Sequence, residues 1–295
     1  MRINTFYIRY ISLVILVSAF TIQGLSQGID IREKRLPKFY LGLSGSWAQT
    51  MIVNDAENID VNIESTRKTC YFYSFEIGTF PSRHFGITTG VIFSPYATDL
   101  TINSYNDVQN NVRDSEGDTY TRYIEGTNII ETQEIDFIKI PFFINIYTGK
   151  AFGIHFQAGM NMSIPMNQGY STTGTFSYTG YYSEYDVTIF NVGHEDFLDN
   201  TKVTTQKELL LNKYNPELVG AVGFHFVIAN TAQLSFSGFY NKMLKSMSEY
   251  SSSSNFILSS SKTQGINSIM SGSKESMTEA FGAKITLRFF IGSKK

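Results

Sequence analysis

One segment of the chain, Phe152 to Ile164, alternates apolar with small or polar residues without exception. The even-numbered positions carry Phe, Ile, Ala and Met, whereas the odd-numbered positions carry Gly, His, Gln, Asn and Ser. Successive side chains of a β-strand point to opposite faces of the sheet. The period therefore predicts a strand with one face in an apolar medium and the other in a polar one.

The same period recurs along the chain and predicts eight strands. In the carboxy-terminal segment, Phe281 to Ile291, two full cations, Lys284 and Arg288, stand on the second face. The other six segments are less regular, as expected where inward side chains share a crowded interior. They begin near Phe39, Tyr73, Phe85, Ile138, Val222 and Leu234.

The links between these segments alternate in length. Short links lie at 80–84, 148–150 and 228–231, and long polar links lie at 50–68, 97–134, 167–215 and 246–276. Outer-membrane barrels alternate short periplasmic turns with long external loops. We therefore predict an all-β, eight-stranded antiparallel up-and-down transmembrane β-barrel with four long extracellular loops and three short periplasmic turns. A secreted β-sandwich is the alternative, but it rarely keeps one apolar face in every strand.

The amino terminus has the composition of a secretory signal peptide. Arg2 and Arg9 precede or flank an uncharged apolar run from Tyr10 to Phe20, and Gly24 and Ser26 occupy the −3 and −1 positions of a cut before residue 27. The run is shorter than the roughly 20 residues that a membrane-spanning helix needs. We predict a signal peptide at 1–26, a periplasmic segment at 27–37 and a barrel domain at 38–295, in the outer membrane of a Gram-negative bacterium.

Composition excludes several other classes of protein. The 24 basic and 26 acidic residues give a net charge of −2, which lacks the basic surface needed to bind nucleic acid. The single cysteine, Cys70, cannot form an internal disulfide and has no zinc-ligand spacing around it. We expect no cofactor and no metal.

Several ionisable residues fall on the predicted lumen face of the strands. The lumen of an eight-stranded barrel is just wide enough to be filled by side chains, so charges buried there have to pair with one another. We expect a salt-bridged network that closes the lumen; the alternative is a proton or ion path. The predicted network comprises Glu76, Lys139, His155, His225, Lys284 and Arg288.

The third predicted loop is rich in tyrosine among Gly, Ser and Thr. These are the residues that recognition loops favour, because Tyr offers a large contact area with few rotatable bonds. A binding surface is one interpretation, and an aromatic girdle at the lipid interface is the other. The tyrosines concerned are Tyr170, Tyr178, Tyr181, Tyr182 and Tyr185.

Two loop segments cluster oxygen ligands that could hold Ca²⁺. One carries Asp114, Glu116 and Asp118 around Gly117, and the other is the run 193–196, Gly-His-Glu-Asp. Neither matches the twelve-residue calcium-loop signature, so solvated loop charge is the favoured interpretation.

The stretch Ile138–Ile144, which reads IKIPFFI, is followed after a turn by the FQAG of Phe156–Gly159. This pair of strands resembles the PorT-like outer-membrane β-barrel family of Gram-negative bacteria. The resemblance implies an outer-membrane barrel, and the best-known members serve type IX secretion. The final strand also resembles the insertion signal read by the barrel-assembly machinery, with its matching positions at Gly282, Ile285, Leu287 and Phe289.

From these patterns we expect a non-enzymatic barrel whose external loops bind a protein or glycan, as an accessory subunit of an envelope assembly. Its other expected partners are outer-membrane lipid and, during insertion, the barrel-assembly machinery. The alternative is a transport role, either in type IX secretion or as a narrow channel. An envelope enzyme ranks third, because the chain has only four His and no Gly-x-Ser-x-Gly motif.

Overall fold

The computed structural model describes residues 39–55, 62–82, 84–149, 151–190, 197–228, 231–250 and 266–291. These residues are almost entirely strand, and none of their helices is long and apolar enough to cross a membrane. The predicted signal peptide 1–26, the segment 27–37 and the cluster at 193–196 lie outside the described residues. The elements are β1 (Phe39–Asp55), β2 (Ile63–Ser82), β3 (Phe85–Arg113), β4 (Thr119–Tyr147), β5 (Phe152–Tyr182), β6 (Val187–Phe190), β7 (Leu198–Glu208), β8 (Asn215–Ile228), β9 (Ala232–Met243), a 3₁₀ helix (Ile269–Gly272) and β10 (Glu275–Ile291).

Eight of the ten described strands form a closed antiparallel ring. The order is β4-β3-β2-β1-β10-β9-β8-β5, and β5 pairs back onto β4. The first strand in the chain, β1, pairs with the last, β10, along their whole length, from Phe39 opposite Ile291 to Asp55 opposite Glu275. The remaining two strands, β6 and β7, both pair with the distal part of β5. The all-β antiparallel prediction is confirmed, but the structure has ten strands where the sequence predicts eight.

The ring has one end with short links and one with long strand extensions. At the end where β1 begins and β10 ends, β2 ends at Ser82 and β3 begins at Phe85, β4 ends at Tyr147 and β5 begins at Phe152, and β8 ends at Ile228 and β9 begins at Ala232. At the other end the predicted long loops are wrong in large part. The predicted loop 97–134 is mostly the continuation of β3 and β4, which meet at the turn 114–118, and the predicted loop 167–215 holds the rest of β5 together with β6 and β7.

The hydrophobic pattern inverts partway along the long strands, which explains this error. Near the short links, outward residues of β4 such as Phe142 and Ile144 are apolar and exposed. Beyond Asp136 the outward residues are mostly polar, and apolar inward residues such as Ile124 and Ile129 are buried beside the polar Glu131 and Gln133. The part near the short links, which we call the lower part, thus has an apolar exterior and a lumen that holds the buried ion groups. The upper part, beyond Asp136, has a mostly polar exterior and an interior of apolar side chains with a few hydrogen-bonded polar ones. A sequence analysis that looks only for outward apolar faces therefore classes the parts of the strands beyond Asp136 as loops.

Every strand of the ring contributes an exposed apolar residue to a continuous band around the lower part, which we call the apolar belt. Adjacent members pair across the ladders, as Leu43 does with Phe75 and Phe236 does with Ile285. Such a band is the surface that a barrel presents to lipid. One representative from each ring strand is Leu43, Phe75, Val91, Phe142, Phe156, Phe224, Phe236 and Ile285.

Two isoleucines of β4 give a matched test of where the belt ends. Ile144 lies in the belt with 51% of its surface exposed, and Ile130 lies beyond it with 50% exposed. We predict that Ile144→Arg lowers the free energy of unfolding by about 2 to 4 kcal/mol, because an arginine would face hydrocarbon. Ile130→Arg should change it by less than about 0.5 kcal/mol, since its side chain faces water. Urea unfolding in lipid vesicles measures both, and equal losses would contradict the proposed belt.

Candidate functional site

The lower ion group of the lumen consists of Glu76, Lys284 and Arg288. Arg288 Nη2 lies 3.0 Å from Glu76 Oε2, and Lys284 Nζ lies 3.7 Å from Glu76 Oε1. Arg288 also donates to the Tyr147 hydroxyl at 3.0 Å. Glu76 and Arg288 are the ladder partners of Gly42 on its two sides. A Cβ at Gly42 would lie 3.2 Å from Arg288 Cγ, so the glycine leaves room for the pair to close above β1.

The upper ion pair joins Lys139 to Glu217. Lys139 Nζ lies 2.7 Å from Glu217 Oε2 and donates to the Tyr96 hydroxyl at 2.9 Å. The ammonium group also stands 4.3 Å from the centre of the Tyr96 ring, where a cation is stabilised by the aromatic face. The single charge network expected from the sequence is thus divided in two, since Lys139 pairs with Glu217 and not with Glu76.

Glu217 is the functional residue of the lumen that the sequence analysis missed. It precedes the predicted start of its strand near Val222, but β8 begins at Asn215. Its odd number matches the inward positions Ala221, Gly223 and His225. Extending the alternating pattern of this strand by four residues towards the amino terminus would have identified Glu217 as a lumen residue.

The two predicted lumen histidines pack against one tyrosine. The ring of His155 stacks on Tyr147 with the centroids 4.8 Å apart, and His225 meets the same ring edge-on at 5.2 Å. His155 Nε2 is 3.1 Å from the Asn145 side-chain oxygen. These contacts place both histidines in a packed layer rather than around a common ligand.

An aromatic layer fills the end of the lumen near the short links. Tyr40, Phe80 and Tyr147 are buried there, and Phe290 packs against them. The ring centroids of Tyr40 and Phe80 are 5.1 Å apart, and those of Phe80 and Tyr147 are 5.4 Å apart. Side chains therefore occupy the cross-section of the barrel below the ion groups.

The opposite end of the interior is filled by a segment that precedes β10. Residues 266–273, which include the 3₁₀ helix, are buried inside the distal barrel. Glu131 holds this segment: its carboxylate accepts hydrogen bonds from Ser268 Oγ at 2.6 Å and from the Ile269 backbone N–H at 3.0 Å. Burial raises the pKa of Glu131 above its ordinary value, and hydrogen bonds from Ser268, Gln133 and Thr172 oppose part of that rise.

The predicted tyrosine surface is wrong for three of its five members. Tyr170, Tyr178 and Tyr182 point into the distal barrel and are buried, and the Tyr170 hydroxyl donates to the Ile266 carbonyl at 2.9 Å. Only Tyr181 and Tyr185 face outward. The physical reason is again the inverted pattern, because beyond the belt the inward face is the apolar one.

A row of outward-facing residues crosses four strands near the distal tip, and three of its four members are apolar and exposed. We call this row the tip stripe. Val108 pairs with Tyr123, Tyr123 pairs with Thr179, and Thr179 pairs with Phe190. Directly opposed residues of antiparallel strands project from the same face. The exposed fractions are 52% for Val108, 42% for Tyr123 and 64% for Phe190. The sequence analysis missed this row because its residues are close only across the sheet.

The acidic turn at the tip, 114–118, is held together by its own hydrogen bonds. Asp114 Oδ1 accepts the backbone N–H groups of Glu116, Gly117 and Asp118 at 2.8 to 3.0 Å. The Tyr182 hydroxyl donates to Asp114 Oδ2 at 3.0 Å. Burial acts to raise the pKa of Asp114, but these hydrogen bonds outweigh it and hold the pKa below its ordinary value. The carboxylate is thus engaged in shaping the turn.

The residues of the predicted insertion signal lie along β10. Ile285, Leu287 and Phe289 are on its outer face, and Ile285 is the most exposed of them. Gly282 approaches β1 so closely that a Cβ there would lie 1.9 Å from the Trp47 carbonyl oxygen. Their recognition by the barrel-assembly machinery stays a prediction.

A closed antiparallel ring with an apolar exterior and a charged, packed lumen is an integral outer-membrane β-barrel, because a closed sheet satisfies every backbone group within lipid. No protein-family model and no curated protein matches the chain. Membership of the PorT-like family accordingly stays a prediction.

Three solved structures are similar to the chain at low identity. The outer membrane protein OprG from Pseudomonas aeruginosa is 12% identical with a TM-score of 0.35, over 86% of this chain and 96% of that one. Ail, the attachment invasion locus protein of Yersinia pestis, is 10% identical with a TM-score of 0.27, over 85% and 99%. The translocator domain of the autotransporter NalP from Neisseria meningitidis is 6% identical with a TM-score of 0.20, over 95% and 97%. At these TM-scores the likenesses carry no argument, and the assignment above rests on the geometry.

Glu76 is the counter-ion of the lower ion group, which gives a direct test. We predict that Glu76→Gln lowers the free energy of unfolding by about 3 to 5 kcal/mol, because Arg288 and Lys284 would stay buried without an anion. The matched control is Glu116→Gln in the exposed tip turn, where about 0.5 kcal/mol or less is expected. Urea unfolding measures both. An unchanged stability for Glu76→Gln would show that this carboxylate does not neutralise the lumen cations.

Proposed function

We propose that the chain is a non-enzymatic outer-membrane protein that binds a partner molecule at the tip stripe, as an accessory component of an envelope assembly. The observation that carries this proposal is the tip stripe itself, where Val108, Tyr123 and Phe190 expose apolar surface on neighbouring strands in water. Exposed apolar surface of this kind, rimmed by polar residues, marks interaction sites.

The rest of the architecture supports a binding role. Strand β4 runs from Thr119 to Phe137 before it reaches the belt, which corresponds to roughly 60 Å of extended chain. The distal parts of β3, β4 and β5 are joined by antiparallel ladders with local register shifts, and they pack on a buried core that includes Ile124, Ile129 and Phe176. The stripe is thus displayed well beyond the membrane on a rigid support, which lowers the entropy lost on binding.

The charges around the stripe favour a basic protein over an acidic glycan as the partner. Glu125 lies on the outward face two residues from Tyr123, and Asp186 accepts a hydrogen bond from Tyr181 at 3.0 Å. The exposed residues Glu116 and Glu184 add further negative charge at the tip. A sulfated or uronic-acid glycan would be repelled there, whereas Lys and Arg side chains of a protein would be attracted.

Transport remains the alternative function, in type IX secretion or through a narrow channel. The described lumen does not favour it, because an aromatic layer, two ion groups and the segment 266–273 follow one another along the barrel. A stable open-pore current from purified protein in planar bilayers would favour the channel over the binding role.

The binding role is tested by substitution in the tip stripe. We predict that Tyr123→Ser and Phe190→Ser each weaken partner binding by about tenfold or more, as expected for aromatic residues at the centre of an interface. The matched control is Ile130→Ser, an equally exposed apolar residue of β4 outside the stripe. Partners copurified from gently solubilised membranes are identified by mass, and their affinity for each purified variant is then measured at two salt concentrations.

Two outcomes would contradict the proposal. Binding that survives both stripe substitutions would place the interface elsewhere. Equal losses for Ile130→Ser would indicate nonspecific adhesion to exposed apolar surface. The affinity for the partner should also fall as the salt concentration rises, because salt screens the attraction between the acidic residues around the stripe and a basic partner.

A further inference from the structure

A small cavity lies inside the membrane-spanning part of the lumen, between the lower ion group and the upper ion pair. Its volume is about 30 Å³, and its lining includes both lysines of those groups, Lys139 and Lys284. Space of this size holds one or two water molecules, or one ion of similar size.

The charged groups that surround this cavity do not balance. Within the belt, the described lumen residues include three buried or nearly buried cations and two buried anions. Glu217 neutralises Lys139 at 2.7 Å, and Glu76 makes its close contact with Arg288 at 3.0 Å. One positive charge is left in excess, and it falls on Lys284, whose distance to Glu76 is 3.7 Å.

The lining also offers hydrogen-bond donors for a negative ligand. An ammonium group has three N–H donors, and Lys284 directs one of them to Gln157 Oε1 at 2.6 Å. The Ser94 hydroxyl lines the cavity, is completely buried, and has no partner among the described residues. Ser44 and Ser46 also line the cavity, and the Ser44 hydroxyl is hydrogen-bonded to that of Ser74.

We propose that this cavity binds a single monovalent anion of chloride size, held by Lys284 and by the Ser94 hydroxyl. The anion neutralises the excess lumen charge that Glu76 and Glu217 leave uncompensated. The site is independent of the tip stripe, since it lies within the belt and the stripe lies at the distal tip.

The site is tested by the thermal stability of the purified barrel in detergent. Sodium gluconate is replaced stepwise by sodium chloride or bromide at constant ionic strength, because gluconate is too large for the cavity. A ligand at concentration L that binds only the folded state stabilises it by RT ln(1 + L/Kd), so the melting temperature keeps rising with the logarithm of ligand concentration above Kd. We expect such a rise with either halide, and crystals grown in bromide should show an anomalous peak within the cavity.

Three variants distinguish this site from general salt effects. Lys284→Met removes the excess charge and should abolish the halide response. Ser94→Ala keeps the charge but removes a donor, so the halide concentration at which the melting temperature begins to rise should increase several-fold. Lys242→Met alters a lysine on the exposed outer surface and should respond like the unmodified chain.

Two outcomes would overturn the proposal. Equal melting temperatures in chloride and gluconate would show that the cavity binds no halide. A halide response that persists in both Lys284→Met and Ser94→Ala would place the anion elsewhere. If Lys284→Met fails to fold, the shift in Ser94→Ala and the bromide peak decide the question.

Discussion

The pairing of β1 with β10 is the interaction on which the rest of the structure depends. It joins the two ends of the chain's ring along the full length of both strands, from Phe39 with Ile291 to Asp55 with Glu275. Without it two strand edges would face lipid, where each unpaired backbone group costs several kcal/mol. The same pairing brings Arg288 next to Gly42, which in turn borders Glu76. Closure of the sheet therefore also brings Arg288 within reach of its counter-ion Glu76.

Closure also determines where a function can reside. An eight-stranded ring encloses an interior that side chains fill, and here they do so in layers of aromatic residues, ion groups and the segment held by Glu131. The surface left for chemistry or binding is the part that extends beyond the belt. There the strands keep pairing around an interior that includes the apolar cluster of Ile124, Ile129 and Phe176, so the chain displays a paired sheet at its tip, with Tyr123 and Phe190 exposed on it.

The strands of the lower barrel could be predicted well from the sequence because one alternation, apolar residues outward and small or polar residues inward, recurs through them. Phe152 to Ile164 and the final strand both alternate between lipid and lumen, and their faces in the structure are those that the period indicates. The rule changes near Asp136, beyond which the outward face is mostly polar and several inward positions, such as Ile124 and Ile135, are apolar. Ile129 and Tyr170 then become core residues, although they lie in segments classed as loops. Contacts across the sheet, such as that of Lys139 with Glu217, cannot be inferred without the register of the strands.

The change of medium along β4 is the central claim, and site-directed spin labelling tests it most directly. Single labels on outward positions of a cysteine-free chain in lipid vesicles report access to oxygen, which favours lipid, and to a water-soluble nickel complex. We predict oxygen access for labels at Ile140, Phe142, Ile144 and Ile146, and nickel access at Ile130, Thr132 and Glu134. Oxygen access that continues through Ile130, or nickel access at Ile144, would contradict the account.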